Sequence, residues 1–570
     1  MSNNLYNEWI SSPLLNDSQR AELKAIEKDD EAINYRFGKF LEFGTAGMRG
    51  IIGMGTNMMN VFTVGLATQG LAEYIKSLPK SARKRGVVIS YDTRRLSEEF
   101  ALRAGLILAS NGIKTYLFGD VHPVPMLSFA VRKLKTIAGI MITASHNPKE
   151  YNGYKVYGED GAQMSPEATA TVVKYINDIG NPLSNKIILD EKAINKIIPV
   201  SNKLDKKYYK ILTKLCLSKK AVKAVGKTIK LVYTPVHGSG YVPVTTILKK
   251  IGINAMVVPE QVKKDTEFST VEVPNPEYKE TLTRAIQMAD FKKADVVFGT
   301  DPDCDRLGVA IRDNNNEFLC LSGNQTGALL LDYILTRLKE TNKLNAKSFV
   351  VKSFVTTSLA GLIASDYNVE LMEVPVGFKF IGEKIKLLDD TGKRKFLFGF
   401  EESCGYLRGT HARDKDAVVA SMLFAEMVCY YTYNGVSVYD KLMAIYEKYG
   451  YVFDKAESIA YKGLNAMQEM NAVVDKLKQE KVLSIGGIKV VAKRDYSSGL
   501  KTLNSGVKEI INCEKNNALY YELDNGGFVC IRPSGTEPKL KIYYSIKAEN
   551  EETAVKLFEN MKADFKKLLK

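Results

Sequence analysis

Short apolar runs alternate along the chain with stretches in which apolar positions recur every three or four residues. GVVISYD at 86–92, TYLFG at 115–119 and IAGIMIT at 137–143 read as buried strands, and SEEFALRAGLILASNG and the segment after PMLS read as the helices between them. A helical pattern over 18–37 precedes them and runs into the glycine-rich FGTAGMRG at 43–50. The same order returns twice. KLVYTPVHGSG (230–240), a helix, AMVVPE (255–260) and ADVVFGTDPDCDR (294–306) form one recurrence; SFVVKSFVTT (348–357), VELMEVPVGFKF (369–380) and KFLFGFEESCG (395–405) form the next. Each apolar run empties into a loop of glycine, small and polar residues. This layering predicts α/β units with mixed sheets and with functional loops at the carboxyl ends of strands.

From about 455 the pattern changes. A predominantly helical stretch through GLNAMQEMNAVVDKLKQ is followed by strand-like IKVVAKRD, ALYYELDN and GFVCIRPSGTEPKLKIYYSIKA, then by an amphipathic helix over EETAVKLFENMKADFKKLL. These predict a smaller α+β domain with an antiparallel sheet. The expected organisation is three related α/β domains, 1–206, 207–322 and 323–445, and a C-terminal α+β domain, 446–570, arranged around a central cleft. A length of 570 residues suits three or four such domains.

The most apolar helix, AVVASMLFAEMVCYY at 417–431, is too short for a bilayer and carries Ser421 and Glu426, so it reads as a core helix. Seven cysteines, odd in number and without a CxxC pair, argue against a disulfide scaffold or a zinc site and fit a reducing, cytoplasmic setting. The N-terminus carries early charges and no long apolar core, unlike a secretory signal. A net charge of +15 draws nucleic acid, anionic surfaces and phosphorylated small molecules alike. Much of the lysine excess lies in amphipathic stretches, where a solvated helix face accounts for it.

Four loops carry candidate chemistry. DPDCDR places Asp301, Asp303 and Asp305 at alternate positions after a strand, where a curling turn would converge three carboxylates on a hard cation such as Mg²⁺. Arg306 follows, a residue type suited to phosphoryl oxygens. TASHNPKEYNGYK presents Ser145 after a strand, with His146 and Lys155 nearby and no nucleophile-elbow glycines around the serine. RPSGTEPK offers Arg532, Ser534, the Gly535 amide and Thr536 as a nest for a tetrahedral anion. In FEESCGYLRGTHARDKD, Glu401 and Ser403 suit vicinal sugar hydroxyls, and His411 and Lys415 add acid–base or phosphate-contacting groups. Cys404 has no base beside it in sequence and reads as a packed apolar residue.

In order along nearly the whole chain, FGTAGMRG, YDTRR, TASHNP, DPDCDR, VGFKF, EESCG and RPSGTEPK resemble the α-D-phosphohexomutase superfamily, of the larger phosphoglucomutase/phosphomannomutase type that includes a phosphopentomutase branch. The resemblance implies a phosphorylated Ser145 whose oxygen joins Asp301, Asp303 and Asp305 around one Mg²⁺. It implies that Arg49 and Arg306 contact the transferring phosphoryl group, that Lys155 is the general base, and that His146 and His411 act in acid–base chemistry or positioning. It places sugar contacts at Gly377, Phe378, Lys379, Glu401 and Ser403, with Lys415 also on the substrate, and the distal phosphate at Arg532, Ser534, Gly535 and Thr536.

The implied reaction interconverts α-D-glucose 1-phosphate and glucose 6-phosphate through glucose 1,6-bisphosphate, which also serves as activator. A phosphopentomutase or phosphomannomutase is the alternative within enzymes, because Phe378 offers little polar discrimination. A catalytically silent phosphosugar-binding protein is the alternative outside them, disfavoured because a binder has no need of a phosphoryl acceptor beside a metal cluster. The expected partners are small phosphosugars, with no membrane and, in the absence of any nucleic-acid motif, no nucleic acid; the chain is expected to act as a monomer or homodimer. Cys304 stands where smaller relatives commonly have glycine, and is compatible with metal binding if its side chain points away from the ion.

Overall fold

The computed structural model of the chain describes residues 2–44, 47–461, 465–534 and 539–569. Packing divides it into two compact units, the first Met1–Cys320 with Ile385–Thr391 and Gly405–Tyr433, the second Leu321–Lys384 with Gly392–Cys404 and Asn434–Lys570.

The first unit opens with three short helices, Ser2–Ser11, Asp17–Lys24 and Asp30–Phe37. The single helical pattern over 18–37 is therefore broken: Asp29 accepts a hydrogen bond from the Ala32 amide and restarts the helix as an N-cap. Trp9 is buried edge-on against Phe37 and Phe62, which fixes these helices to the rest of the unit. The strands that follow are β1 (Met48–Ile51), β2 (Val87–Tyr91), β3 (Thr115–Leu117), β4 (Ala138–Ile142), β5 (Tyr151–Gly158) and β6 (Ile197–Pro199). They form a sheet in the order β1-β5-β4-β2-β3-β6. The β4, β2, β3 and β6 strands run parallel, and β5 is antiparallel to both β4 and β1, so the sheet is mixed. β2 and β4 are buried at every position, which is why they read as continuous apolar runs rather than alternating ones.

A second sheet is built from β7 (Leu231–Thr234), β8 (Ala255–Val257), β9 (Val296–Thr300), β10 (Leu307–Arg312) and β11 (Phe318–Leu321), ordered β11-β10-β9-β7-β8. β7 lies parallel to β8 and β9, and β10 folds back antiparallel on β9. The turn between β9 and β10 is DPDCDR. The apolar helix Ala417–Tyr433 packs in this unit beside Lys219–Val225 and Tyr241–Ile251, with Phe424 edge-on to Phe298 of β9. Its one carboxylate, Glu426, is fully buried and accepts the Ser218 amide. No helix among the described residues is long and apolar enough to cross a membrane.

In the second unit, β12 (Ser348–Ser353), β13 (Glu370–Val374) and β14 (Lys395–Glu401) lie parallel in the order β13-β12-β14. The short β15 (Gly405–Leu407) belongs to the first unit, where Gly405 bridges to Arg306. The remaining strands are β16 (Tyr451–Ala460), β17 (Ser484–Ile485), β18 (Ile488–Asp495), β19 (Leu500–Leu503), β20 (Lys508–Ile510), β21 (Leu519–Leu523), β22 (Phe528–Pro533) and β23 (Lys539–Ala548). They pair antiparallel as β16-β23-β22-β21-β18-β19-β20, with β17 on β18, and the helices Ala466–Gln479 and Glu551–Leu568 accompany them. The α+β expectation holds, with one difference: residues 451–460 are a strand rather than the start of a helical stretch. β16 is an edge strand that pairs along its whole length with β23, and the charges that make it read as helical, Asp454, Lys455 and Glu457, suit an edge.

Gly153 shows how tightly the first sheet holds its loops. A methyl group there would lie 2.5 Å from the Thr143 carbonyl oxygen and 3.0 Å from that of Met48. Gly153→Ala is expected to cost about 1–3 kcal/mol of stability and to displace the turn after β4. Calorimetric melting should show the lowered midpoint, and an unchanged midpoint would contradict the close approach.

Candidate active site

Ser145 sits in the turn after β4 with φ of +53°, a left-handed conformation that an L-residue adopts only when its surroundings require it. They do so on both sides. Its amide donates to Thr143 Oγ1 (2.8 Å), and Thr143 in turn donates to Asp92 Oδ2 (2.7 Å) at the end of β2. Arg94 is buried and donates to four carbonyls of the same turn, those of Ser145 and Asn147 at 2.5 Å, Pro148 at 2.9 Å and Tyr151 at 3.1 Å. Asp92 accepts the Arg94 amide and the Ser97 hydroxyl, which completes a network under the loop. Asp92 and Arg94 were given no role by sequence reasoning. The signal was present in YDTRR, a polar loop at a strand end.

The held Ser145 hydroxyl donates to Asp301 Oδ2 at 2.9 Å and lies 3.2 Å from His146 Nδ1. Asp301, Asp303 and Asp305 are all buried, and one oxygen from each lies within 4.8 Å of the others. Asp301 Oδ1 accepts the amides of Asp305 and Arg306, so the turn's own backbone curls the chain and aims the carboxylates. Lys155 on β5 donates to Asp303 (2.9 Å), and Lys415 is 3.0 Å from Asp305. One oxygen each of Asp303 and Asp305 is buried without a hydrogen-bond partner among the described residues. Three converging carboxylates with open lone pairs fit a hard divalent cation of the Mg²⁺ type.

The electrostatics follow. Burial and then the neighbouring Asp303 and Asp305 push the Asp301 carboxyl well above its ordinary range. Burial and Asp303 also raise Asp305, against the pull of Lys415. Burial acts in the same direction on Asp303, but the Lys155 ammonium overcomes it and holds that carboxyl low. His146 is pushed down to about 2 by burial and then by Arg306 and Arg49, so its ring is neutral.

Arg49 on β1 donates to Asn147 Oδ1 (2.8 Å), at the edge of the serine loop. The Arg306 guanidinium pairs with Glu277 while its amide serves Asp301. Cys304 has φ of +50°, and its buried sulfur lies beside Gly240, with burial and then the charge of Asp301 raising its thiol. His411 is a buried ring whose Nε2 is 2.7 Å from Asp416 Oδ2, and Tyr208 donates to both oxygens of the same carboxylate (2.9 and 2.8 Å). His411 Nδ1 has no partner among the described residues. Between His411 and Asp416, Asp414 accepts the hydroxyl of Tyr157 on β5 (2.9 Å), two residues beyond Lys155. The first unit thus gathers Arg49, Ser145, His146, Lys155, the three aspartates, Arg306, His411 and Lys415; Lys415, expected on substrate, is placed on the triad.

The second unit holds the other expected residues. Gly377 has φ of +126°, and its amide donates to Glu401 Oε1 (2.7 Å), which ties VGFKF to the end of β14. Phe378 is buried, and Lys379 lies over the Phe380 ring. Glu402 accepts the hydroxyls of Ser353 and Thr356. Ser403, Arg532 and Ser534 are half-buried, and the Ser534 amide donates to Lys539 O (2.8 Å) across the RPSGTEPK loop. Gly535 and Thr536 lie outside the described residues. Burial and then the charge of Glu402 raise the Tyr543 phenol, against the pull of Arg532.

Comparison with known proteins places this arrangement among relatives. The family models described as phosphoglucomutase/phosphomannomutase alpha/beta/alpha domains I, II and III match residues 41–182, 206–315 and 322–449. The chain is 39% identical over 519 residues to a phosphoglucomutase of Staphylococcus haemolyticus (strain JCSC1435), covering 90% of this chain and 91% of that one. It is 38% identical over 517 residues to a phosphoglucomutase of Staphylococcus aureus (strain USA300), with the same coverage. In fold it is similar to the exocytosis-sensitive phosphoprotein pp63/parafusin from Paramecium, a phosphoglucomutase in its open form, with a TM-score of 0.68 at 16% identity over 93% of this chain and 95% of that one.

The repulsion within the triad gives a two-signed prediction. Asp301→Asn removes one charge and keeps an oxygen for the two amides. The metal-free thermal midpoint is expected to rise by about 2–4 °C, while most of the stabilisation that Mg²⁺ gives the wild type is lost. Differential scanning calorimetry with and without Mg²⁺ checks both signs.

Proposed function

Because this chain belongs to the phosphoglucomutase/phosphomannomutase family, we propose that it interconverts α-D-glucose 1-phosphate and glucose 6-phosphate, with Ser145 as the residue that gives and takes the phosphoryl group. The observation that carries this reading is the 2.9 Å hydrogen bond from Ser145 Oγ to Asp301 in a buried cluster of three carboxylates. A serine serving only as a loop residue has no need of such a neighbour.

In the proposed cycle the bond between phosphorus and Ser145 Oγ breaks as a bond forms to the free hydroxyl of the sugar phosphate. The product is glucose 1,6-bisphosphate. After the sugar turns end for end, its other phosphoryl group returns to Ser145 and the isomeric monophosphate leaves. Asp301, Asp303 and Asp305 would hold Mg²⁺ together with the serine oxygen, and the ion when bound supplies charge stabilisation to the transferring group. Arg49 and Arg306, around the serine loop, serve the same group through their guanidinium donors.

Lys155 is proposed to take the sugar hydroxyl's proton and to return it in the reverse half-reaction. Its hydrogen bond to Asp303 holds the side chain at the carboxylate cluster, beside Ser145. His146, neutral and beside Ser145, accepts or donates one hydrogen bond and positions the serine oxygen. The Asp416 carboxylate fixes the ring of His411, which is assigned to acid–base chemistry or positioning. In the second unit, Glu401, Ser403, Lys379 and the Gly377–Phe378 backbone are assigned to sugar hydroxyls, and Arg532, Ser534, Gly535 and Thr536 to the distal phosphate. Phe378, being buried, shapes that loop from within.

A ³¹P NMR time course with α-glucose 1-phosphate, Mg²⁺ and a trace of glucose 1,6-bisphosphate should show glucose 6-phosphate growing in, and Ser145→Ala should lower the rate by at least about 10³-fold. Faster turnover of ribose 1-phosphate or of mannose 1-phosphate under the same conditions would move the substrate to that sugar. No turnover of any of the three would contradict the enzyme reading.

A further inference from the structure

One segment of the first unit adopts a backbone that its own sequence does not favour. Phe268, 1% exposed, has φ of +46°, and a bulky side chain in the left-handed region is held only where the surroundings over-determine it. Those surroundings are explicit. Asp265 accepts the amides of Glu267 and Ser269 (2.9 Å each) and the Ser269 hydroxyl (2.6 Å), which closes a tight turn around Phe268. His237, itself at φ of +59°, pins both ends of the segment, with Nδ1 2.9 Å from Lys263 O and Nε2 2.7 Å from Thr270 Oγ1. Its ring meets the Phe268 ring edge-on at 6.4 Å.

The result is that the Phe268 ring faces the guanidinium of Arg94, 5.2 Å from the ring centroid, where the cation interacts with the aromatic face. Arg94 is the residue that gathers four carbonyls of the Ser145 turn. The neighbouring Glu267 pairs with Lys149, in the same turn, at 3.0 Å. We infer that residues 263–270 form a positioning strap, in which Phe268 covers Arg94 and Glu267 holds Lys149 so that the turn after β4 keeps Ser145 Oγ aimed at the aspartate triad. The strap comes from a different sheet domain than the serine, so the register between the serine and the triad is set from the triad's side as well. Phe268 acts through Arg94. The inference rests on the reading of Ser145 as phosphoryl acceptor, and it concerns how that residue is aimed.

The test is the rate at which Ser145 becomes phosphorylated by glucose 1,6-bisphosphate with Mg²⁺, followed by quenched flow and intact-protein mass spectrometry as a function of bisphosphate concentration. Phe268→Leu keeps the apolar bulk and removes the aromatic face; Phe268→Tyr keeps the face. Phe268→Leu is expected to lower the maximal rate about tenfold with little change in the half-saturating concentration, and Phe268→Tyr to restore it. Phe268→Leu at the wild-type rate, or Phe268→Tyr as slow as Phe268→Leu, overturns the strap. Should Phe268→Leu fail to fold, Glu267→Gln carries the test by hydrogen exchange. Amides of residues 146–151 should then exchange faster than in the wild type, those of β2 should not, and unchanged exchange in the turn overturns the inference. A wild-type protein that takes no phosphoryl group contradicts the proposed function instead, and the exchange comparison of Phe268→Leu with wild type then decides the strap alone.

Discussion

Three carboxylates forced together in a water-poor turn are the constraint on which the rest of the first unit depends. Repulsion among Asp301, Asp303 and Asp305 would splay an ordinary loop, yet the amides of Asp305 and Arg306 hold Asp301, and ammonium groups from two other places in the chain hold its neighbours. Lys155 comes from β5 of the first sheet and Lys415 from the segment after β15. Neither could be supplied locally without crowding the cluster. The unpartnered oxygens that remain are what a divalent cation would complete, and the Ser145 hydroxyl is already directed at the same point.

That demand explains features which look costly in isolation. Ser145 and Cys304 take left-handed backbone conformations within this cluster, and His237 and Phe268 take them where the Phe268 ring faces Arg94. In Ser145 the conformation goes with a hydroxyl directed to Asp301, and in Cys304 with a sulfur packed beside Gly240. Strain of this kind survives where packing and hydrogen bonds leave no alternative, and here Asp92, Thr143 and Arg94 remove the alternatives from beneath the serine. The loop is therefore set before any ligand arrives, which is how a site aims a reacting oxygen without spending binding energy on order.

The chain's apolar periodicity made much of this legible. Strands buried on both faces read as unbroken apolar runs, and each emptied into the loop that carries chemistry, so DPDCDR, TASHNP and EESCG could be placed at strand ends from sequence. β5 was harder. Its buried positions include Asn152, Gly153 and Lys155, so it lacks an apolar signature, and Lys155 reads as part of a loop in sequence although it stands on a strand. The edge strand β16 was hidden by its charges. The His411–Asp416–Tyr208 network was out of reach for a different reason: the tyrosine and the carboxylate are 208 residues apart, and nothing local to either marks the pairing. Phe268 likewise carries no motif, since what distinguishes it is a backbone angle and an arginine from another sheet.

Ser145 is proposed as the phosphoryl acceptor of the carboxylate site. That role is tested most directly by incubating the protein with glucose 1,6-bisphosphate and Mg²⁺, locating the phosphate by tandem mass spectrometry, and then chasing with glucose 6-phosphate. One phosphoryl group is expected, on Ser145, that the chase removes. A phosphate on another residue, or one on Ser145 that the sugar phosphate leaves in place, would contradict it.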